Sequence, residues 1–268
     1  MKRILLTLLM AVFVLPAIGQ SNFPFNGIAD RRDNAYAFTG ATIYVDYQTK
    51  LENATLLIKD GKVVSVGTDL TVPAGYTTVD LAGKFIYPSF IDLHTNYGMP
   101  EVKRGGFSWG AAEKITPQVP GAYNANDAVK ADFEAAKSFE MDAKAAKEMR
   151  DLGFGTVLSF RPDGLARGTS ALISLAEGEE NTLVLKTQTA AHYAFDKGSS
   201  TQTYPVSTMG FVAVLRQTHF DAEWYKTSKN ETFLDNTLEA YNAQRKRPQF
   251  FDAGDWQGVL RADKLGDE

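Results

Sequence analysis

The sequence predicts an α/β protein in which a small module of paired strands precedes a larger α/β region. Three observations carry that prediction. Residues 35–84 hold short runs rich in aromatic and β-branched residues, divided by turn signals. From residue 85 the run "FIYPSFIDL" is apolar almost throughout, which suits a strand covered on both faces. A strongly periodic helical stretch then separates that run from a second one, "FGTVLSF", and strand–helix–strand is the pattern of a crossover between parallel neighbours.

In chain order, the first segment is "MKRILLTLLMAVFVLPAIGQ". Lys2 and Arg3 precede an apolar stretch from Ile4 to Leu15, and the small residues Ala17 and Gly19 follow. This predicts a secretory signal, cut after Gly19, and so an exported protein, periplasmic or extracellular, with no integral membrane segment after cleavage. An uncleaved anchor is the second reading, ranked lower because of the Ala17/Gly19 spacing. A polar lead-in covers residues 20–34. "AYAFTGATIYVD" reads as a strand, and "ATLLIKDGKVVSVG" reads as a hairpin turning at Asp60-Gly61. "YTTVDLAG" adds one short strand and a turn at Gly83.

Pro88 interrupts a regular ladder, so the strand ending in "FIDLH" is expected to start near Ser89. Residues 98–127, rich in Gly, Pro and Asn, read as a long loop. Residues 127–153 read as one helix: Phe133, Ala136, Phe139, Ala143, Ala146 and Met149 recur at helical spacing, and Gly153 suits the end. "TSALISLA" and "NTLVLKTQTAAHYAF" read as strand-rich. "STMGFVAVLRQTHFDAEWYKTS" reads as a helix with Met209, Val212, Ala213, Phe220 and Trp224 on one side, and "FLDNTLEAYNAQRKR" reads as a third helix. No internal repeat stands out. Two confident strands of the parallel type are few for a closed eight-stranded barrel, which takes about 250 residues. The region is therefore a smaller α/β domain or a piece of a longer chain, and the second is favoured.

Composition limits the function classes. The net charge of −4 leaves no basic footprint for nucleic acid, and the short basic run near residue 245 suits a solvated helix end. With 44% hydrophobic and 22% charged residues, the 268-residue chain is an ordinary globular one. There is no cysteine, so the fold rests on its core without disulfides. Thiolate zinc sites and a cysteine nucleophile are excluded, and any metal must be held by nitrogen and oxygen ligands.

The chemistry-bearing stretch is "GKFIYPSFIDLHTNYG", residues 83–98. A histidine at the mouth of a buried strand, His94, can serve as a metal ligand, or as a polar residue bonded to its neighbours. Asp92 reads as structural, bonding loop amides. His192 reads as a satisfied, partly buried histidine and His219 as one facing solvent or a neighbouring helix, because neither has a second histidine at metal-binding spacing. Asp163 and Arg167 follow the second strand, where a substrate contact is one reading and an Asp163-Gly164 turn the safer one. The sequons at Asn53 and Asn230 are short enough to arise by chance.

A small β-module leading into "GKFIYPSFIDLHTN" resembles the amidohydrolase superfamily of metal-dependent hydrolases. "MRDLGFGTVLSF" resembles that family's helix into strand two. "DGLARGTSALISL", "AAHYAFDKG" and "YPVSTMGFVAVLRQTHFDAEWY" are similar, in that order, to its imidazolonepropionase-like branch. The resemblance covers roughly residues 35–227 and the rest more loosely. It implies a small N-terminal β-sandwich module (20–84) and an incomplete β/α barrel of TIM type (85–268). It also implies a divalent metal, zinc by preference, that lowers the pKa of bound water and polarises a carbonyl.

In the family, two histidines one residue apart at the end of strand one face the metal together. The first maps to His94, but the second maps to Asn96, a neutral and weaker donor for zinc. The family glycine after the proline is Ser89. The remaining ligands would lie beyond residue 268, so the resemblance assigns no catalytic residue here. It implies metal-assisted hydrolysis of a C–N bond in a small molecule, non-peptide amide or dipeptide-like. The alternative is a metal-free degenerate domain, acting as a structural or interaction repeat beside an active second domain. A solute-binding module is a third reading, disfavoured by the strand–helix–strand pattern after a β-module.

Overall fold

A computed structural model describes residues 34–104, 112–228 and 233–268. The proposed signal and its cleavage site lie outside the described residues. The chain divides into two compact units after Pro88.

In the first unit, β1 (Ala35–Tyr44) is the centre of a five-stranded sheet. It pairs antiparallel with β2 (Lys50–Lys59) and parallel with β4 (Thr77–Asp80) and β5 (Phe85–Ile86), while β3 (Lys62–Gly67) lies outside β2. The hairpin between β2 and β3 turns where the sequence places it. Asp60 and Gly61 both take positive φ, 50° and 72°, the backbone that a two-residue turn needs to match strand twist. Ala41, Ile43, Ala54 and Leu56 form the buried cluster. The run "GKFIYPSFIDLH" is shared between units: β5 joins the first sheet, and β6 (Phe90–Thr95) starts two residues after Pro88 in the second.

In the second unit, β6 runs parallel to β7 (Phe154–Ser159), with α1 (Ala143–Asp151) between them in sequence. This is the crossover read from the sequence. β7 pairs antiparallel with β9 (Ala171–Ser174), and β9 with β10 (Val184–Lys186), giving the order β10-β9-β7-β6. A second sheet has β11 (Ala191–Ala194) between β8 (Ala166–Thr169) and β12 (Gln249–Asp252); β11 is antiparallel to β8 and parallel to β12. A short helix α2 (Glu180–Leu183) leads into β10.

The helix expected over 127–153 forms only in its second half. Lys130 N–H donates to the carbonyl of Ala166 (2.8 Å), Leu165 N–H to that of Ala128 (2.7 Å), and Thr169 N–H to that of Phe133 (2.9 Å). Residues 128–134 thus spend their backbone hydrogen bonds along β8, and only a 3₁₀ turn (Ala135–Lys137) precedes α1. Asp142 starts α1 by accepting from Lys144 N and Ala145 N, both at 3.0 Å. Most of the periodic residues still share a core: Phe139 and Ala146 pack with Val157 and Ile173, and Phe133, Ala136 and Met149 pack against them.

The long helix α3 (Thr208–Ser228) lies where expected but turns a different face inward. Its buried residues are Gly210, Val214, Leu215, Thr218 and Ala222, whereas Met209, Phe220 and Trp224 are exposed. The third helix is α4 (Asn236–Gln244), capped by Asp235. β12 and a last helix, α5 (Trp256–Gly266), were not read from the sequence. Among the described residues no helix is long and apolar enough to cross a membrane.

Candidate functional site

β6 ends at the segment that the sequence singled out. Asp92 accepts a hydrogen bond from the backbone amide of His94 (Oδ1, 2.9 Å), as expected of a structural carboxylate. His94 and Asn96 are both exposed beyond it. The His94 ring rests on Phe160, with centroids 4.6 Å apart and planes tilted by 52°. Phe160 directly follows β7, so the two parallel strands β6 and β7 deliver the pair together.

His192 from β11 stacks on the same Phe160 ring. Its ring lies parallel to Phe160 at 4.2 Å and parallel to Phe250 of β12 at 5.2 Å. The sequence placed His192 as a satisfied histidine. The structure buries it, at 2% exposure, yet leaves Nε2 without a partner among the described residues. Burial, with smaller contributions from the positive charges of His94 and Arg167, pushes its pKa down to about 3, so the ring is neutral.

Arg167, from β8, is the third member. It is 3% exposed, donates from Nε to the Gly164 carbonyl (3.2 Å), and pairs with Asp252 at the end of β12 (3.3 Å). Its guanidinium also lies 5.9 Å from the Phe160 ring centre. The sequence left Arg167 open as a substrate contact; the structure spends it on the strand-end carboxylate. Asp163 occupies the turn before Gly164, as expected, but as a buried ionic hub rather than a simple turn residue. His219, on α3, is half-buried, and burial and the nearby Arg245 depress its pKa. Phe160, Phe250 and Asp252 were missed by the sequence reading. The adjacent phenylalanines of "QFFD", before the capping Asp255, were the available signal for β12.

No family model matches the chain. It is 33% identical to a dihydroorotase of Lactobacillus helveticus over 82 residues, a match covering 25% of this chain and 19% of that protein. It is 35% identical to a dihydroorotase of Mycobacterium tuberculosis over 49 residues, covering 18% and 11%. The matches thus span a fifth or less of these relatives' length. Among solved structures, an amidohydrolase from Thermotoga maritima superposes with a TM-score of 0.65 at 22% identity, over 87% of this chain and 61% of that one. The sequence matches and the shared fold together support the amidohydrolase superfamily, and with it an α/β fold carrying an N-terminal β-module.

That superfamily is metal-dependent, so the donors at the strand ends must be tested for fit. Among the described residues no three His, Asp or Glu side chains come together to hold a metal ion. His94 has Asn96 where a second imidazole would sit. Arg167, a buried cation over the Phe160 ring, already pairs with Asp252. These residues do not make up a metal centre by themselves.

Proposed function

We propose that the chain is part of an exported amidohydrolase-type hydrolase acting on a C–N bond of a small molecule. The observation that carries this reading is the placement of His94. It stands at the C-terminal end of the first strand of a parallel β6–α1–β7 unit, on a fold shared with an amidohydrolase. The C-terminal ends of parallel strands are where such folds build their sites. The two dihydroorotase likenesses support a C–N hydrolase, and the basic, apolar, small-residue pattern of residues 1–19 supports export. Donors besides His94, with Asn96 as a weak oxygen donor, would come from outside the described residues.

A second reading has its own support. Asn96 in place of an imidazole, together with a buried guanidinium held close to the strand ends, favours a domain that keeps the fold without the metal and works beside an active one. Metal analysis of the purified protein and of Asn96→His separates the two. Stoichiometric zinc or another divalent ion in the native protein is the result expected from the hydrolase reading. If the native protein holds none and Asn96→His acquires it, chemistry at this position is ruled out and the degenerate reading stands.

A further inference from the structure

Beyond the His94 strand end, the second unit contains a cavity of about 180 Å³, lined by apolar as well as polar and charged residues, between the loop at 118–133, the turn after β7 and the loop at 199–200. One wall is cationic. Asp163, 1% exposed, accepts from Ser199 N (2.7 Å), Ser199 Oγ (2.9 Å), Arg161 Nη2 (2.9 Å) and Lys130 Nζ (3.3 Å). Two cations therefore share one carboxylate whose acceptor capacity is already taken, and one positive charge is left over on that wall. The Arg161 guanidinium is held 5.2 Å over the Phe133 ring, and its Nε is buried with no hydrogen-bond partner among the described residues. The guanidinium is satisfied at Nη2 by Asp163 and its side chain is 26% exposed, so Nε alone lacks an acceptor, and an unmet buried donor carries a cost.

Two carboxylates also line the cavity. Asp127 turns both oxygens to the amide of Gln118 (3.2 and 3.0 Å). Asp132 accepts from Thr237 Oγ1 through Oδ1 (2.9 Å), its other oxygen has no partner among the described residues, and it makes no ion pair there. Surplus positive charge and a carboxylate oxygen without a protein partner, lining one cavity, complement a molecule that carries both charges. At about 30 Å³ per water, the cavity holds roughly six waters, space for a small amino acid.

We propose that this cavity binds a small zwitterion, an α-amino acid, with its carboxylate at Arg161 and Lys130 and its ammonium at Asp132. Gly198 makes the cationic wall possible. Its φ of +61° and the closeness of Asp163 Oδ1 leave no room for a Cβ, so only glycine lets the 197–199 backbone approach the carboxylate. Binding here is independent of any chemistry at His94.

Isothermal titration calorimetry of the full chain with L-alanine and L-leucine tests the site. One-site binding with Kd on the order of 1 mM is expected. Propionate, which lacks the ammonium, and L-alaninamide, which lacks the carboxylate, are expected to bind at least about tenfold more weakly. Arg161→Gln and Asp132→Asn should each weaken amino-acid binding by at least about tenfold. Arg161 is tied into the Asp163 network, so its variant can lose fold; Asp132 is exposed, and Asp132→Asn with unchanged circular dichroism decides in that case. Absence of binding by both amino acids overturns the proposal. So does equal binding of propionate or alaninamide, or undiminished binding by Asp132→Asn.

Discussion

His192 sits between two phenylalanine rings as a neutral base whose folded pKa, about 3, lies below its unfolded value of 6.5. The unfolded chain therefore binds the proton first on acidification. The stability that this ring contributes is fully present above pH 6.5, and it is lost as pH falls toward 3, with a slope of up to about 1.4 kcal/mol per pH unit. His192→Phe keeps a flat ring in the stack and removes both the titration and the unpaired Nε2. The variant is expected to lose less stability between pH 7 and pH 5 than the wild type, measured by urea denaturation at each pH. An equal loss in both proteins would show that another group governs the acid limb. The sequence indicated a partly buried, structural His192. It could not show the unpaired nitrogen, because the partners that define the pocket, Phe160 and Phe250, lie 32 and 58 residues away.

At the scale of elements, local signals were read well where they are short and self-sufficient. Asp60-Gly61 specifies its own turn, and "FIDLH" and "FGTVLSF" pair as parallel strands as read, whereas the cover on both faces expected of the first run is not found, with Phe90, Ile91 and Leu93 exposed. The helix over 127–153 was overread because Phe133, Ala136 and Phe139 meet the core at helical spacing while backbone bonds of Lys130 and Phe133 go to β8. Helical periodicity reports which side chains are buried, not where the amide hydrogens go. For α3, apolar residues lie on several sides, and the face with small residues Gly210 and Ala222 turns inward. The 197–199 loop offers the corresponding test. Gly198→Ala must place a Cβ against Asp163 in a left-handed backbone, and a loss of at least about 2 kcal/mol is expected in chemical denaturation. A loss under about 0.5 kcal/mol, the range of surface substitutions, would mean that the loop does not hold Asp163 as described.

For the whole molecule, the sheets of the second unit end in strands whose outer edges carry no partner among the described residues. β6 is the edge of its sheet, and Phe90, Ile91 and Leu93 on it are 63%, 56% and 53% exposed. β12 is the edge of the other. Residues of this kind suit a strand covered on both sides, and the superposed Thermotoga chain has 39% of its length (100 − 61) outside the match. The sequence anticipated this imbalance by supplying only two runs of the buried parallel type. An apolar edge strand also offers its free amides and carbonyls to another chain, which is the geometry of edge-to-edge association. Residues 20–268 expressed alone are therefore expected to self-associate through β6, in a concentration-dependent manner, by sedimentation velocity. Ile91→Lys places a charge on the exposed edge without entering a buried cluster, so it should reduce that association and leave the unfolding midpoint within about 0.5 kcal/mol of wild type. Hydrogen exchange gives the independent readout: the amides of β6 should become protected as concentration rises in the wild type and stay open in Ile91→Lys. A wild-type chain that stays monomeric at high concentration, or one whose association is untouched by Ile91→Lys, would show that this edge is already covered in solution.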